Sequence, residues 1–460
     1  MRAVLTRDEM RAADAAALAE VTHGTLVARA GTAVAHAALR ILGGAYGKNV
    51  TVVVGKGSNG ADGRVAAAYL SRRGARVTVV GAGDAPPALA PCDLVIDGAY
   101  GTGFHGAYDA PLVASGTPIL AIDIASGVDA DSGAAPGAAT RATHTVTFAA
   151  LKPGLLQGEG PGHCGEVQVV DIGVSFPIAQ AALVEDADVS DLLPPRPRQS
   201  NKWASAVGVA AGSAGMEGAA ILCARGALAA GSGMVRLGSP GDPSAPWPAE
   251  AVRMSLPAAG WAAPFLAQVA KCRALVVGPG LGTGPATAEE IHAVVAGAPV
   301  PVVIDADALT ALGDVESARA LLANRSAPSI LTPHDGEYAR LTGSPPGEDR
   351  LAAARSLAAA TGAVVLLKGP LTAVAAPGAA APDVLLVASG VPALATAGSG
   401  DVLCGVIAAF LARGVQAAVA AALAAHVHGR AAAAGPPAGL VAGDLPGLVA
   451  GVLGTMAHHG

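Results

Sequence analysis

Short runs of β-branched and aliphatic residues alternate with longer alanine-rich stretches along the whole chain. In the first half, the apolar runs at 50–54, 76–80, 94–97, 119–124, 144–148 and 167–171 have the length and Val/Ile/Thr content of strands. Each of the first four ends in glycine or a polar residue. Ahead of them, Met10, Leu18, Leu26, Val27, Val34 and Leu39 fall at mixed helical spacing and predict a helical arm over 7–42. In the second half the same reasoning predicts strands at 206–210, 274–277, 302–305, 329–331 and 364–367, and helices at 218–230, 350–361 and 400–412. Strands alternating with helices in this way are the pattern of α/β layers on mostly parallel sheets. No short internal repeat interrupts it.

The proline-rich, polar run Leu192-Leu193-Pro194-Pro195-Arg196-Pro197-Arg198-Gln199-Ser200 parts two apolar, glycine-rich halves. It predicts one domain over 1–190, a linker over 191–200 and a second domain over 201–460, in keeping with a length of 460 residues that exceeds one ordinary core. The most apolar long stretch, 405–425, contains Arg413, Gly414 and Gln416, so it reads as a buried helix and not as a membrane span. The first twenty residues carry charges throughout and lack the apolar core of a signal peptide.

Composition narrows the chemistry. Hydrophobic residues make up 52% of the chain but aromatics only 3%, which suits alanine-rich helices packed closely on sheets. A net charge of -6 gives no basic footprint for nucleic acid or for an acidic membrane surface, which leaves small-molecule chemistry. The five cysteines show no Cys-x-x-Cys spacing, so neither a disulfide framework nor a zinc site is expected, and a reducing, cytoplasmic setting fits.

After the first strand run stands Gly55-Lys56-Gly57-Ser58-Asn59-Gly60-Ala61-Asp62-Gly63, which contains Gly-x-Gly-x-x-Gly opening a predicted helix. Alone it fits either a dinucleotide fingerprint, with Asp84 at about the expected distance, or an ordinary glycine turn. Position adds weight. Asn59 and Asp62 follow one strand, Asp97 ends another before Gly101-Thr102-Gly103, and Asp123 ends a third before Ser126-Gly127. In an open parallel sheet such strand ends share one crevice, although a single aspartate there also serves as a helix cap. An amide, a carboxylate and a hydroxyl oxygen would also suit a hard cation.

With Thr147-Phe148-Ala149-Ala150-Leu151-Lys152-Pro153-Gly154 and Asp171-Ile172-Gly173, these pieces stand in an order that resembles the NAD(P)H-hydrate epimerase domain, over about residues 6–173. The resemblance implies a Rossmann-like three-layer fold, with potassium held by Asn59, Asp97 and Ser126. It implies that the hydrated nicotinamide nucleotide is held by Ser58, Asn59, Gly60, Ala61 and Asp62, by Gly101, Thr102, Gly103, Phe104, His105, Gly106 and Ala107, and by Asp123. We assign Asp123 as its acid–base group, with Lys152 as second choice. The chain departs from the family's usual Asn-Asn-Gly-Gly-Asp at Ser58 and Ala61, and has Ala125 where a proline is common.

The second constellation centres on Ala395-Thr396-Ala397-Gly398-Ser399-Gly400-Asp401, directly before an apolar helix. Glycines there let backbone N–H groups face a phosphate, and an aspartate in such a cradle serves either as an N-cap or as the base that deprotonates a hydroxyl. Gly278-Pro279-Gly280-Leu281-Gly282, Asp305-Ala306-Asp307, Thr332-Pro333-His334-Asp335-Gly336-Glu337 and Lys368-Gly369-Pro370-Leu371-Thr372 each follow a predicted strand. Over about residues 200–443 this set is similar to the ADP-dependent NAD(P)H-hydrate dehydratase family, whose fold is ribokinase-like α/β.

That resemblance implies that Gly280, His334 and Asp401 contact the hydrated cofactor, while Lys368, Gly369, Pro370, Leu371, Thr372 and Gly400 contact ADP, with magnesium present and Asp401 as catalytic base. Asp335 replaces the proline often found after the family's histidine. The two halves together imply repair of hydrated NADH and NADPH: the first interconverts the R and S hydrates, and the second uses ADP to dehydrate the S form, releasing AMP and phosphate. A homo-oligomer, without nucleic-acid or membrane partners, is expected. The alternatives are a ribokinase-type small-molecule kinase, which would leave a stable phosphorylated product, an NAD-dependent oxidoreductase, and an N-terminal half that only binds.

Overall fold

The computed structural model describes residues 1–242, 247–378 and 381–457. The chain forms two compact units, one of Arg2–Gln180 and the other beginning at Ala181.

The first unit runs β1 (Arg2–Val4), α1 (Arg7–Glu20), α2 (His23–Leu42), β2 (Asn49–Val54), α3 (Ser58–Arg72), β3 (Arg76–Gly81), β4 (Leu94–Gly98), β5 (Ile119–Ile122), β6 (His144–Phe148), α4 (Gly160–Cys164) and β7 (Glu166–Val170). The predicted helical arm is thus two helices. Val21 and Thr22 are extended at the break, and Thr22 caps α2 by accepting from Thr25 N. Six strands form a parallel sheet in the order β3-β2-β4-β5-β6-β7. The chain passes from β3 across β2 to β4, so the order reverses between β2 and β4 and opens a crevice at their carboxyl ends.

One face of that sheet buries Val50, Val52, Leu94, Ile96, Leu120 and Ile122 against Ala30, Val34 and Ala38 of α2 and Ala66 and Leu70 of α3. The opposite face buries Val53 and Val95 beneath Leu89 and Tyr108 of the connecting segments. Close packing fixes where α3 begins. A Cβ on Gly31 would lie 2.7 Å from the Asp62 carbonyl, and one on Gly60 would lie 2.1 Å from the Gly55 carbonyl.

The second unit runs β8 (Ala181–Leu183), α5 (Asp186–Leu192), β9 (Ala206–Ala210), α6 (Glu217–Ala229), β10 (Met234–Pro240), β11 (Val252–Leu256), α7 (Ala262–Gln268), β12 (Ala274–Val277), α8 (Pro285–Gly297), β13 (Val302–Ile304), α9 (Asp307–Ala311) and α10 (Val315–Leu322). It continues through β14 (Ser329–Leu331), α11 (Asp335–Thr342), α12 (Arg350–Thr361), β15 (Val364–Leu367), β16 (Thr372–Ala375), β17 (Val384–Val387), α13 (Ser399–Ala412), α14 (Ala417–Ala434) and α15 (Leu445–Ala457). Its strands are ordered β8-β17-β16-β15-β14-β13-β12-β9-β10-β11. All neighbours from β15 to β11 are parallel, β16 is antiparallel to both its neighbours, and the order reverses between β9 and β12.

The boundary therefore falls before the proline-rich run. β8 pairs with β17 at Ala181–Val384, and α5 follows, so 181–192 folds with the second unit. The apolar stretch at 405–425 is likewise not one helix: Arg413 and Gly414 end α13, and Gln416 caps α14. Both are buried, and among the described residues no helix is long and apolar enough to cross a membrane. α13 lies directly on α6, where a Cβ on Gly405 would sit 2.1 Å from the Cys223 carbonyl and one on Gly226 would sit 2.4 Å from the Val402 carbonyl. Small residues at this crossing set the position of Asp401, in the first turn of α13.

Candidate functional site

In the first unit a cleft of about 1010 Å3 opens at the carboxyl ends of β2, β3, β4 and β5, where the strand order reverses. It is lined by Ser58, Asn59, Gly60 and Asp62, by Gly101 to His105, and by Asp123 and Lys152; Ala61, Gly106 and Ala107 do not line it. Asp123 leaves β5 in the left-handed region, at φ 69°, which aspartate tolerates better than most residues. Its Oδ1 accepts from Lys152 Nζ at 2.5 Å and from Thr147 Oγ1 at 2.9 Å. Lys152 is fully buried, and its ammonium also donates to Thr147 Oγ1 and to the Phe148 carbonyl. Nearby, Asp62 is buried, and among the described residues no cation pairs with it. Burial first, and the Asp123 charge second, push its carboxyl up to about 8, so it carries a proton at neutral pH.

Beneath the cleft, Asn59 Nδ2 donates to the carbonyls of Tyr100 (3.2 Å) and Ile122 (2.6 Å). Ser126 Oγ donates to Asp97 Oδ1 at 2.7 Å, and Ser126 N to Oδ2 at 2.9 Å. Asp97 is buried with Ser126, Thr140 and Ala99 as partners, none of them cationic, and burial pushes its carboxyl up. Amide, carboxylate, hydroxyl and carbonyl oxygens around an unneutralised buried aspartate form a donor set suited to a hard cation of low charge.

In the second unit, Asp305 directly follows β13 and is buried. Its Oδ1 accepts from Lys368 Nζ at 2.9 Å and Thr332 Oγ1 at 2.7 Å, and its Oδ2 accepts from Cys404 Sγ at 3.1 Å. Burial opposes its charge, but Lys368 and these hydrogen bonds outweigh burial and hold the carboxyl below its usual range. Lys368 Nζ lies 3.6 Å from Glu337 as well. A Cβ on Gly400 would be 3.7 Å from both Asp305 Oδ2 and Lys368 Nζ, which places the start of α13 over this pair.

Asp401 sits there, three residues past the left-handed Gly398, and burial together with the charges of Asp305 and Asp307 pushes its carboxyl up to about 7 against the pull of Lys368. A carboxylate that titrates near neutrality beside a lysine and a helix N-terminus can take a proton while the site stabilises a transferring phosphoryl group.

His334 caps α11 through Nδ1, which accepts from Gly336 N and Glu337 N, while Glu337 Oε2 accepts from His334 N. The ring is therefore tied to the glutamate that faces Lys368, with Nε2 3.6 Å from Glu337 Oε2. At the other reversal point, Gly280 is left-handed at φ 64°, and its carbonyl accepts from Ser213 Oγ at 2.9 Å. The 368–372 loop is braced by Arg350: Nη2 donates to the Lys368 carbonyl at 2.6 Å, Nε to the Leu371 carbonyl, and Nη1 to Asp335. The aspartate that stands in place of the common proline thus anchors the arginine that holds the loop.

Arg350 was not among the residues singled out from sequence. Its signal was present, since a basic residue in the first turn of a helix opposes the helix dipole and points to an outside partner. Ala306, at φ 51° between Asp305 and Asp307, marks the same site by its backbone and had no sequence signal.

Comparison with known proteins agrees with both halves. The family model described as NAD(P)H-hydrate dehydratase matches residues 207–447, and the one described as YjeF-related protein N-terminus matches 23–90 and 81–154. The chain is 40% identical over 454 residues to the bifunctional NAD(P)H-hydrate repair enzyme Nnr of Mycobacterium tuberculosis, with 92% of each chain covered. The chain belongs to the bifunctional NAD(P)H-hydrate repair enzyme family. Its relative from Mycobacterium leprae is likewise 40% identical with 92% of each chain covered, and that from Moorella thermoacetica 35% identical, covering 84% of this chain and 82% of its own.

Among solved structures, an ADP/ATP-dependent NAD(P)H-hydrate dehydratase from Bacillus subtilis, co-crystallised with ATP and Mg2+, is 29% identical with a TM-score of 0.50. It covers 59% of this chain and 97% of its own. A ribokinase-like superfamily protein from Enterococcus faecalis, 20% identical with a TM-score of 0.52 over 62% of this chain and 99% of its own, shares the fold.

Proposed function

We propose that the chain repairs hydrated NADH and NADPH as an isomerase and a lyase in one polypeptide. Its first unit epimerises the R and S hydrates, and its second dehydrates the S form at the expense of ADP. The observation that carries the reading is the Asp401–Lys368–Asp305 arrangement at the start of α13, in a chain 40% identical to bifunctional repair enzymes.

The hydrate carries water across one double bond of the dihydronicotinamide ring, and hydroxide leaves poorly. Asp401 takes the hydroxyl proton, and the oxygen attacks the terminal phosphorus of ADP, displacing AMP. The ring nitrogen's electron pair then expels phosphate to leave an iminium ion, and loss of the proton from the adjacent ring carbon restores the double bond. Lys368, held by Asp305, and the N–H groups opening α13 stabilise the charge that develops on the transferring group. Lys368, Gly369, Pro370, Leu371, Thr372 and Gly400 hold the nucleotide, while Gly280 and His334 hold the hydrate. Asp305 already accepts from Lys368, Thr332 and Cys404, and Glu337, 3.6 Å from Lys368 Nζ, would help hold magnesium. Magnesium supplies neutralisation of phosphate charge.

In the first unit the Asp123–Lys152 pair and the protonated Asp62 face one cleft, which provides a base and an acid for inverting the hydrated carbon. Asn59, Asp97 and Ser126 would hold potassium, which would supply positive charge beside the buried Asp97 carboxylate. The setting is cytoplasmic and the assembly homo-oligomeric.

The test is to incubate the chain with a mixture of R and S NADH hydrate, ADP and Mg2+, following absorbance of the reduced nicotinamide, beside an Asp401→Asn variant. Full conversion by the wild type and none by the variant supports both activities. Conversion that stops at one configuration refutes the epimerase, and a stable phosphorylated product refutes the dehydratase.

A further inference from the structure

The cleft of the first unit reaches a carboxylate to which the reading above gives no role. β3 lies beside β2 in parallel register, with Val54 opposite Gly81, and the chain leaves β3 through a turn in which Asp84 N donates to the Gly81 carbonyl at 3.0 Å. Asp84 is exposed at that strand end and lines the same cleft as Gly55, Gly57 and Gly60. In a β-α-β unit with this glycine pattern, a pyrophosphate rests on the helix N-terminus, and an acidic residue ending the second strand takes the ribose hydroxyls. Here β2, α3 and β3 are that unit. Lys56 and Arg64 line the cleft beside the glycine loop, where a pyrophosphate would meet them.

The cleft has the length such a ligand needs. From β3 across β2, β4 and β5 to β6 there are four strand spacings of about 4.8 Å each, roughly 19 Å in all. With the pyrophosphate at the start of α3, the hydrated ring falls toward Asp123 and Lys152, and the adenosine falls toward Asp84.

We propose that Asp84 binds the adenosine ribose diol of hydrated NADH and disfavours the 2′-phosphate of hydrated NADPH, so that it sets the substrate preference of the epimerase. The inference rests on the epimerase reading of the first unit. A carboxylate accepts hydrogen bonds from both hydroxyls, whereas a phosphate on the 2′ oxygen removes one of these donors and adds repulsion.

The experiment measures kcat/KM for epimerisation of the R hydrates of NADH and of NADPH, with R and S forms separated chromatographically. It uses the full chain carrying Asp401→Asn so that dehydration does not drain the S form. The expected preference for the NADH hydrate is at least about tenfold, since like charges brought together at a binding surface cost several kcal/mol. It should shrink as salt is raised. Asp84→Asn and Asp84→Ser, at an exposed position, should bring the ratio toward one mainly through a lower KM for the NADPH hydrate, with kcat little changed. Equal kcat/KM for the two hydrates before Asp84 is changed, or a ratio that neither variant moves, overturns the assignment while leaving the epimerase standing. Epimerisation of neither hydrate overturns the epimerase reading and this inference with it.

Discussion

Replacing Asp401 with asparagine should abolish dehydration and, at alkaline pH, make the second unit more stable. The carboxyl has an ordinary pKa near 3.8, which burial and the charges of Asp305 and Asp307 push up to about 7 in the folded chain. At about 1.4 kcal/mol per pH unit, keeping Asp401 ionised in the fold costs about 4 kcal/mol. The sign follows from which state holds the proton more tightly. The folded state does, so this group's contribution to stability is fully present below pH 3.8, declines as pH rises, and is gone above about 7.

Asparagine does not titrate, so its advantage over the wild type should widen by about 2–3 kcal/mol between pH 5 and pH 8. Trp203, Trp247 and Trp261 all lie in the second unit, so tryptophan fluorescence during urea unfolding reports that unit alone. The acid limb of kcat/KM for dehydration should fall near pH 7 in the wild type. A stability difference that is flat between pH 5 and pH 8, or dehydration surviving in the variant, would refute the placement of Asp401 as a strained base.

Lys152→Met should remove the cation paired with Asp123 in the first unit and cost about 3–5 kcal/mol, seen as lost amide protection in β5 and β6. Epimerisation should disappear with it; a stable, active variant would remove the pair from the mechanism. Gly405→Ala would push α13 off α6, because its Cβ meets the Cys223 carbonyl at 2.1 Å, and should destabilise by at least about 1–3 kcal/mol. Gly447→Ala in α15, with open space at its Cβ, is the control that should be neutral or better. Arg350→Ala should free the 368–371 loop and raise KM for ADP by about tenfold or more, given the roughly 1.5–3 kcal/mol of a charged hydrogen bond. An unchanged KM would show that the loop holds itself. Asp97→Asn should remove any stabilisation of the first unit by added potassium, read as the shift in its thermal unfolding with and without the salt.

What the sequence made legible was the glycine-and-aspartate grammar of strand ends, because that grammar is local. Gly398 must take a left-handed conformation for α13 to begin where it does, and Asp123 must turn at φ 69° to meet Lys152. Such demands restrict residue type at the position itself. The strands 234–240 and 252–256 and the pair 372–375 and 384–387 were not predicted. Pro240 ends the first of them, and the others are short runs whose pairing is settled only by the neighbouring strand.

The fold-back of Ala181–Leu183 onto β17 shares that cause, since it depends on the strand it pairs with, whereas the break at Thr22 and the return at Arg413–Gln416 are marked locally by the caps at Thr22 and Gln416. The same division runs through the sites. The sequence motifs single out Asp401 and Lys368. That Asp305 holds Lys368 in place, that Glu337 joins His334 to the same lysine, and that Asp335 anchors Arg350 are facts of distance between segments far apart in sequence. They also explain why Asp335 can stand where a proline is common. The stiffness a proline gives the turn by its ring is supplied here by an ion pair to the arginine that braces the next loop.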